Sequence, residues 1–203
     1  PAEEYRELLV DVIELCEHLS SLVGQLLFLA ESENAVIDQE GVIGLHKVVE
    51  RSFEIFHDVA EHLGISLRIA RLDACEVRGN HQHLRQVVNN LIDNALKYTD
   101  RGGRVDITLR HDSPHGQVVL TVRDTGQGIS PEDLDRVFDR FYRSKAHRVS
   151  ASASDPSPTP DQGIGLGLSI CRAILQAHGG SIEVESTLGE GSTFIARLPT
   201  VPS

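Results

Sequence analysis

The sequence predicts an α+β chain. One long amphipathic helix is followed by a two-layer αβ sandwich, in which a mixed, largely antiparallel sheet carries helices on one face. Three observations predict it. Residues 3–31 place Leu8, Val12, Leu15, Leu19, Leu22, Leu26 and Leu29 at alternating spacings of four and three, an a/d seam. Short β-rich runs of period two come in neighbouring pairs, at 105–110 with 117–123 and at 181–185 with 193–198, which is hairpin order. Helical periods at 45–63, 84–98 and 165–178 each show one apolar side, and such helices need a sheet face to cover.

In chain order, the first helix widens its seam with Leu9, Ile13, Cys16, Val23 and Leu27, more apolar surface than a lone helix can bury, so it favours partners in a helical bundle over packing on the rest of its own chain. A polar stretch ending at Asp38-Gln-Glu-Gly41 reads as a linker over 34–41. Residues 45–63 form a helix with Gly64 as its stop. Ile65–Ile69 alternates like a strand, and Cys75–Arg78 is a shorter one. Asn80 is an N-cap type ahead of the next helix. Strands 105–110 and 117–123 are joined through Asp112-Ser-Pro-His-Gly116, and Ser130-Pro-Glu-Asp133 is a helix start with Ser as N-cap and Pro at N1. Residues 144–163, rich in Ser, Ala and Pro, have no periodicity and predict a loop. Helix 165–178 stops at Gly179-Gly180, and the last two strands turn at Leu188-Gly-Glu-Gly191.

Composition narrows the function. A net charge of −11 disfavours nucleic acid, whose phosphates need a basic surface. Cys16, Cys75 and Cys171 are odd in number and make no CxxC pair, as expected of free thiols in a reducing compartment. No apolar run approaches the roughly 20 residues that span a bilayer. The chain has no Met even at its start, which suggests a piece of a longer protein. No signal peptide or internal repeat is evident.

The chemistry centres on Leu84–Tyr98. Leu84, Val87, Val88, Leu91, Ile92 and Ala95 share the buried side, while Asn90, Asn94 and Lys97 line up on the other at i, i+4 and i+7. Amide oxygens are hard ligands that suit Mg²⁺, and a lysine neutralises phosphate as a point charge. The bland alternative is a solvated helix side that happens to carry Asn. Asp124-Thr-Gly-Gln-Gly-Ile129 follows a strand directly; its aspartate can accept from an exocyclic amine, although an ordinary Asp-Gly turn would read the same. Gly163-Ile-Gly-Leu-Gly-Leu168 opens a helix, where backbone N–H groups make an anion site, or a glycine cluster packs helix on sheet. Neither GxGxxG nor GxxxxGK[ST] is present.

Taken in order, Asn90…Asn94…Lys97-Tyr98-Thr99, Asp124-Thr-Gly126-Gln-Gly128, Val137-Phe-Asp-Arg-Phe-Tyr142, Gly163-Ile-Gly165-Leu166-Gly167 and Gly189-Glu-Gly-Ser-Thr-Phe194 resemble the N, G1, F and G2 boxes of sensor histidine kinases. The resemblance covers about residues 40–198. It implies the Bergerat-type ATP-binding fold of the gyrase, chaperone and histidine-kinase superfamily over 42–203, with 144–163 as the ATP lid. Residues 1–33 resemble the second helix of the dimerisation and histidine-phosphotransfer domain. It implies ATP and Mg²⁺ as cofactors, with Asn90 and Asn94 holding the metal and Lys97 contacting phosphate; these three would be the catalytic groups. Tyr98 would lie along the nucleotide, and Asp124 would bind the adenine amine beside Gly126, Gly128 and Ile129. Phe138 and Phe141 would anchor the lid's start, Arg140 and Arg143 could meet phosphate, and Gly163, Gly165, Leu166 and Gly167 would hinge the lid and cradle phosphates.

The implied reaction is γ-phosphoryl transfer from Mg·ATP to a histidine upstream of this chain, then to the receiver domain of a response regulator. The implied assembly is a homodimer through the first helix. The implied setting is a cytoplasmic domain without membrane contact of its own, whose parent could be an inner-membrane protein. Two alternatives are a non-catalytic ATP sensor and a hydrolytic ATPase of the same fold; the hydrolases carry a glutamate where this chain has Asn90, which cannot act as a base. The chain departs from the pattern in lacking an acceptor histidine followed by an acid and a proline. His18 has no such context, and His81-x-His83 reads as two surface residues rather than a metal site.

Overall fold

The computed structural model describes residues 41–142 and 165–201. The expectations for helix 3–31, Cys16, His18, Arg143, Gly163 and the whole 144–163 loop lie outside the described residues.

Strand β1 (Val42–Gly44) runs straight into helix α1 (Leu45–Leu63), and β2 (Ser66–Leu72), β3 (Glu76–Arg78) and helix α2 (His81–Lys97) follow. Next come β4 (Arg104–Asp112), a 3₁₀ turn at Ser113–His115, β5 (Gln117–Asp124) and the one-turn helix α3 (Pro131–Leu134). Helix α4 (Gly167–Ala177), β6 (Ser181–Thr187) and β7 (Gly191–Pro199) close the chain. The main sheet has the order β2-β4-β5-β7-β6. Only β2 and β4 pair in parallel, as the crossover through β3 and α2 allows; the other neighbours are antiparallel. The mixed sheet is thus the one expected.

Helix α2 lies between α1 and α4, and its apolar side meets β4 and β5. Leu84, Val87, Val88, Leu91, Ile92, Ala95 and Leu96 are buried there, against Val105, Ile107 and Leu109 of β4 and Val118, Leu120 and Val122 of β5. Period two on the strands and 3.6 on the helix therefore converge on one core, each large side chain contributing about 1.5–3 kcal/mol of burial. Ser52 of α1 donates to Asn89 Oδ1 at 2.7 Å, which fixes α1 against α2 through the one polar group that α1 buries. Asn80 Oδ1 accepts from the N–H groups of Gln82 and His83, the N-cap that its residue type implied. Gly64 closes α1 in the left-handed conformation (φ 71°).

Several local expectations change. β1 falls where the linker reading ended, and pairs antiparallel with β3 in a small separate sheet. Its three residues are too few to show alternation. The helix beginning at Pro131 lasts four residues, and Ser130 makes no side-chain cap bond. Helix α4 begins at Gly167 rather than Gly165. His81 is exposed as expected, whereas His83 is half-buried, its ring edge-on to His178 at 6.1 Å. His178 is itself buried; its Nδ1 sits 2.7 Å from the Ile174 carbonyl, and its Nε2 accepts from the Asn80 N–H at 3.1 Å.

Candidate functional site

The site is assembled where α2 ends, β5 ends, the β6–β7 turn passes and α4 begins. Asn90 and Asn94 are both half-buried along one edge of α2. Asn90 Nδ2 donates to the Gly167 carbonyl at 3.2 Å, so the first turn of α4 is tied to α2. Its amide N–H is engaged there, and Oδ1 is its acceptor atom. Lys97 is exposed and ion-paired with Asp93 on its own helix at 2.8 Å. Such an exposed i,i+4 pair is worth only about 0–1 kcal/mol, so a phosphate can take the ammonium from it. Beneath this edge, burial pushes the Cys171 thiol up to about 12, and it stays protonated and inert.

Tyr98 caps α2, and its carbonyl accepts the Gln127 N–H at 3.1 Å. The loop after β5 therefore lies against the end of α2. A side chain on Gly126 would run into the Tyr98 carbonyl. Gly128 holds a left-handed φ of 69° and would strike the Thr187 carbonyl. These two glycines are needed for close approach, one on each side of the loop.

Asp124, at the end of β5, is only 3% exposed. Its Oδ1 accepts two backbone N–H groups, from Gly126 at 2.9 Å and from Ser192 at 3.1 Å. Burial raises its pKa above the ordinary carboxylate value, and these backbone bonds offset part of that rise. A buried carboxylate held on one oxygen presents the other to a ligand's N–H. Ile129, half-buried, donates its N–H to Ser186 Oγ at 2.8 Å.

Phe138 is buried, with the Arg172 guanidinium of α4 6.0 Å from its ring. Phe141 differs from the anchoring expectation. Its ring is 58% exposed, its φ is 61°, and the segment is instead held by its N–H on the Gly165 carbonyl at 3.0 Å. Arg140 is exposed. Tyr142 donates to the buried Asp133 at 2.5 Å and stacks under Arg136. Gly165 (φ 79°) sits against Phe141 and Tyr142, Leu166 is buried, and Gly167 faces Asn90. Leu166, at the N-cap position of α4, supplies no side-chain cap.

The structure thus brings Asn90, Tyr98, Asp124, Gly126, Gly128, Ile129, Leu166 and Gly167 into one neighbourhood of mutually bonded segments. It ties Phe141 to that neighbourhood only through Gly165. The sequence reading assigned no role to Ser186 near the end of β6, nor to Ser192 within the closing motif, which touch the loop from the far side; a serine in a strand carries no signal of its own.

Residues 79–202 match the family model described as histidine kinase-, DNA gyrase B-, and HSP90-like ATPase. The chain belongs to this ATPase family. Within it, the chain is a histidine-kinase-type ATP-binding domain. It is 36% identical over 202 residues to the sensor protein SrrB of Staphylococcus aureus, across 97% of this chain and 32% of that protein. The chain therefore spans about a third of the length of the curated relatives it matches. Among solved structures, a mycobacterial sensor histidine kinase, MprB, superposes with a TM-score of 0.64 at 29% identity, covering 80% of this chain and 99% of that one. Full-length ShkA in complex with AMPPNP gives 0.76 at 27% identity, covering 94% and 37%. Among the described residues no helix is long and apolar enough to cross a membrane.

Proposed function

We propose that this chain binds Mg·ATP and donates its γ-phosphoryl group to a histidine on a segment upstream of it, from which a response regulator's receiver domain is phosphorylated. The observation that carries the reading is Asp124, a buried carboxylate held on one oxygen by two backbone N–H groups. It reads the adenine amine. Asn90 and Asn94 hold Mg²⁺, a hard cation suited to their amide oxygens, which supplies charge neutralisation along the phosphates. Lys97 leaves Asp93 for phosphate, and the N-terminal N–H groups of α4, with Gly163, Gly165 and Gly167, cradle the chain of phosphates. Arg140 adds positive charge at the same end.

Residues 1–33 act as the second helix of a dimerisation and phosphotransfer domain, 34–41 as the linker and 42–203 as the catalytic domain. The chain works as a homodimer through that helix, on the cytoplasmic side of a parent that is in many such proteins membrane-anchored. Its catalysis is positioning and electrostatics rather than base chemistry; Asn90, whose amide donates to Gly167, offers no base to activate water.

The test mixes the chain with Mg·ATP and a separately made helical hairpin bearing a phosphoacceptor histidine. Acid-labile, base-stable label should appear on the hairpin, while the chain alone stays unlabelled and hydrolyses negligibly. ATP binding without label on any hairpin would leave a sensor, and label on His18 would overturn the missing-acceptor reading.

A further inference from the structure

Outside the groups already assigned, one side chain bonds both to the loop that follows Asp124 and to the start of β7 beside it. Ser186 lies near the end of β6, half-buried. Its Oγ donates to the Gly191 carbonyl at 2.8 Å and accepts the Ile129 N–H at 2.8 Å. It also lies 3.0 Å from Ser192 Oγ. A hydroxyl has one hydrogen and two acceptor sites. With its hydrogen on Gly191, Ser186 must accept from Ser192, so Ser192 spends its only O–H on Ser186.

These bonds bear directly on the carboxylate. Ser192 is the residue whose backbone N–H holds Asp124 Oδ1, and Ile129 ends the loop whose Gly126 N–H holds the same oxygen. The loop and the turn meet again where Gly189 N–H reaches the Gln127 carbonyl at 2.7 Å. A Cβ on Gly191 would strike the Asp124 carbonyl, so no slack separates turn and strand. Resting on the reading that Asp124 recognises the base, we propose that Ser186 is a positioning residue for nucleotide recognition: its hydroxyl clasps the Asp124 loop to the β6–β7 turn and so fixes the two N–H groups that orient the carboxylate.

The clasp is local, and its loss should be selective. Ser186→Ala leaves the Ile129 N–H without its acceptor and frees the Ser192 hydroxyl, while β6 keeps its ladder to β7. A hydrogen bond of this kind is worth enough to weaken ATP binding about fivefold or more. The preference for ATP over GTP should fall with it, because the carboxylate loses its fixed direction. Ser186→Thr keeps the hydroxyl and should restore both quantities. Ser181→Ala, at the exposed start of the same strand, should change neither.

The experiment titrates ATP and GTP into the full chain and these variants, with Asp124→Asn alongside. Loss of ATP preference in Ser186→Ala and Asp124→Asn, with rescue by Ser186→Thr, supports the clasp. If Asp124→Asn binds as the wild type does, the reading of Asp124 falls and the clasp falls with it. If Asp124→Asn weakens binding and Ser186→Ala does not, the clasp alone is overturned. It is equally overturned if Ser186→Thr fails to rescue, since the loss is then one of packing. Should Ser186→Ala not fold, amide exchange in the wild-type chain decides: an Ile129 N–H exchanging as fast as the exposed turn at Ser113–His115 rules the clasp out, and a protected one supports it.

Discussion

Asp124 and Asp73 show how two carboxylates in one fold can titrate in opposite directions. Asp73 is held below its ordinary value by the Arg71 guanidinium and then by the His111 N–H. A lowered folded-state pKa gives stability that is present above the unfolded value near 3.8 and is lost as pH falls through the lowered one. Asp124 has a raised pKa because it is buried. Its charged form costs the empty protein stability at neutral pH, and that cost is relieved as pH falls through the raised value. Binding runs the other way, since a protonated carboxyl no longer accepts freely from an amine. ATP affinity should therefore decline on acidification at a pH above the ordinary aspartate value. Asp124→Asn, which shares the titration of the nucleotide's own phosphates, should bind at least about tenfold more weakly at neutral pH and lack that extra decline. Calorimetric titrations at a series of pH values compare the two, and parallel profiles would remove Asp124 from base recognition.

At the scale of elements, α2 divides its work by side. Leu91 is fully buried, and truncating it should cost about 2–5 kcal/mol through lost transfer and a cavity. Asn94 is half-buried on the other side, so Asn94→Ala should leave the melting temperature nearly unchanged while abolishing Mg·ATP binding. Thermal melts together with calorimetry check the pair, and an Asn94→Ala chain that binds normally would refute the metal assignment. This division was legible because a helix of period 3.6 writes both sides into the sequence, and Asn80 announced where it starts. The strands were legible for the same reason with period two. What failed to show had no period to write. β1 is three residues long, α3 is one turn, and Ser130 resembles a cap but makes no cap bond. In the candidate site, Asp124, Gly126 and Gly128 were visible as residues whose type restricts their use. Ser186 was not, because its importance lies in three partners distant in sequence or hidden in a turn. Phe141 looked like an apolar anchor, yet its backbone makes the attachment and its ring is exposed.

At the scale of the molecule, the core among the described residues runs from Leu45 to Leu198, within the one compact unit Ile37–Ser203. A chain of residues 41–203 should therefore fold by itself and bind ATP within about twofold of the full chain, as a domain with its own core does. Sedimentation should meanwhile lose any self-association that Leu15, Leu19, Leu22 and Leu26 provide. A truncated chain that fails to fold would place part of the core upstream. The small β1–β3 sheet carries a different implication. Gly79 donates to the Gly41 carbonyl on one side of β3, while Thr200 bridges Val77 and Val201 donates to the Glu76 carbonyl. Entry and exit of the domain thus dock on the same three-residue strand, within about 10–15 Å of one another at the usual strand spacing. The order in which the polypeptide is threaded is then separable from the architecture it builds. Joining Val201 to Gly41 through about five residues, which reach that far when extended, and opening the chain between the exposed Ser113 and Pro114 gives a circular permutant. It should keep the circular dichroism and ATP affinity of the 41–203 chain; a permutant that folds but cannot bind would show that the ends, and not only the core, hold the site in register.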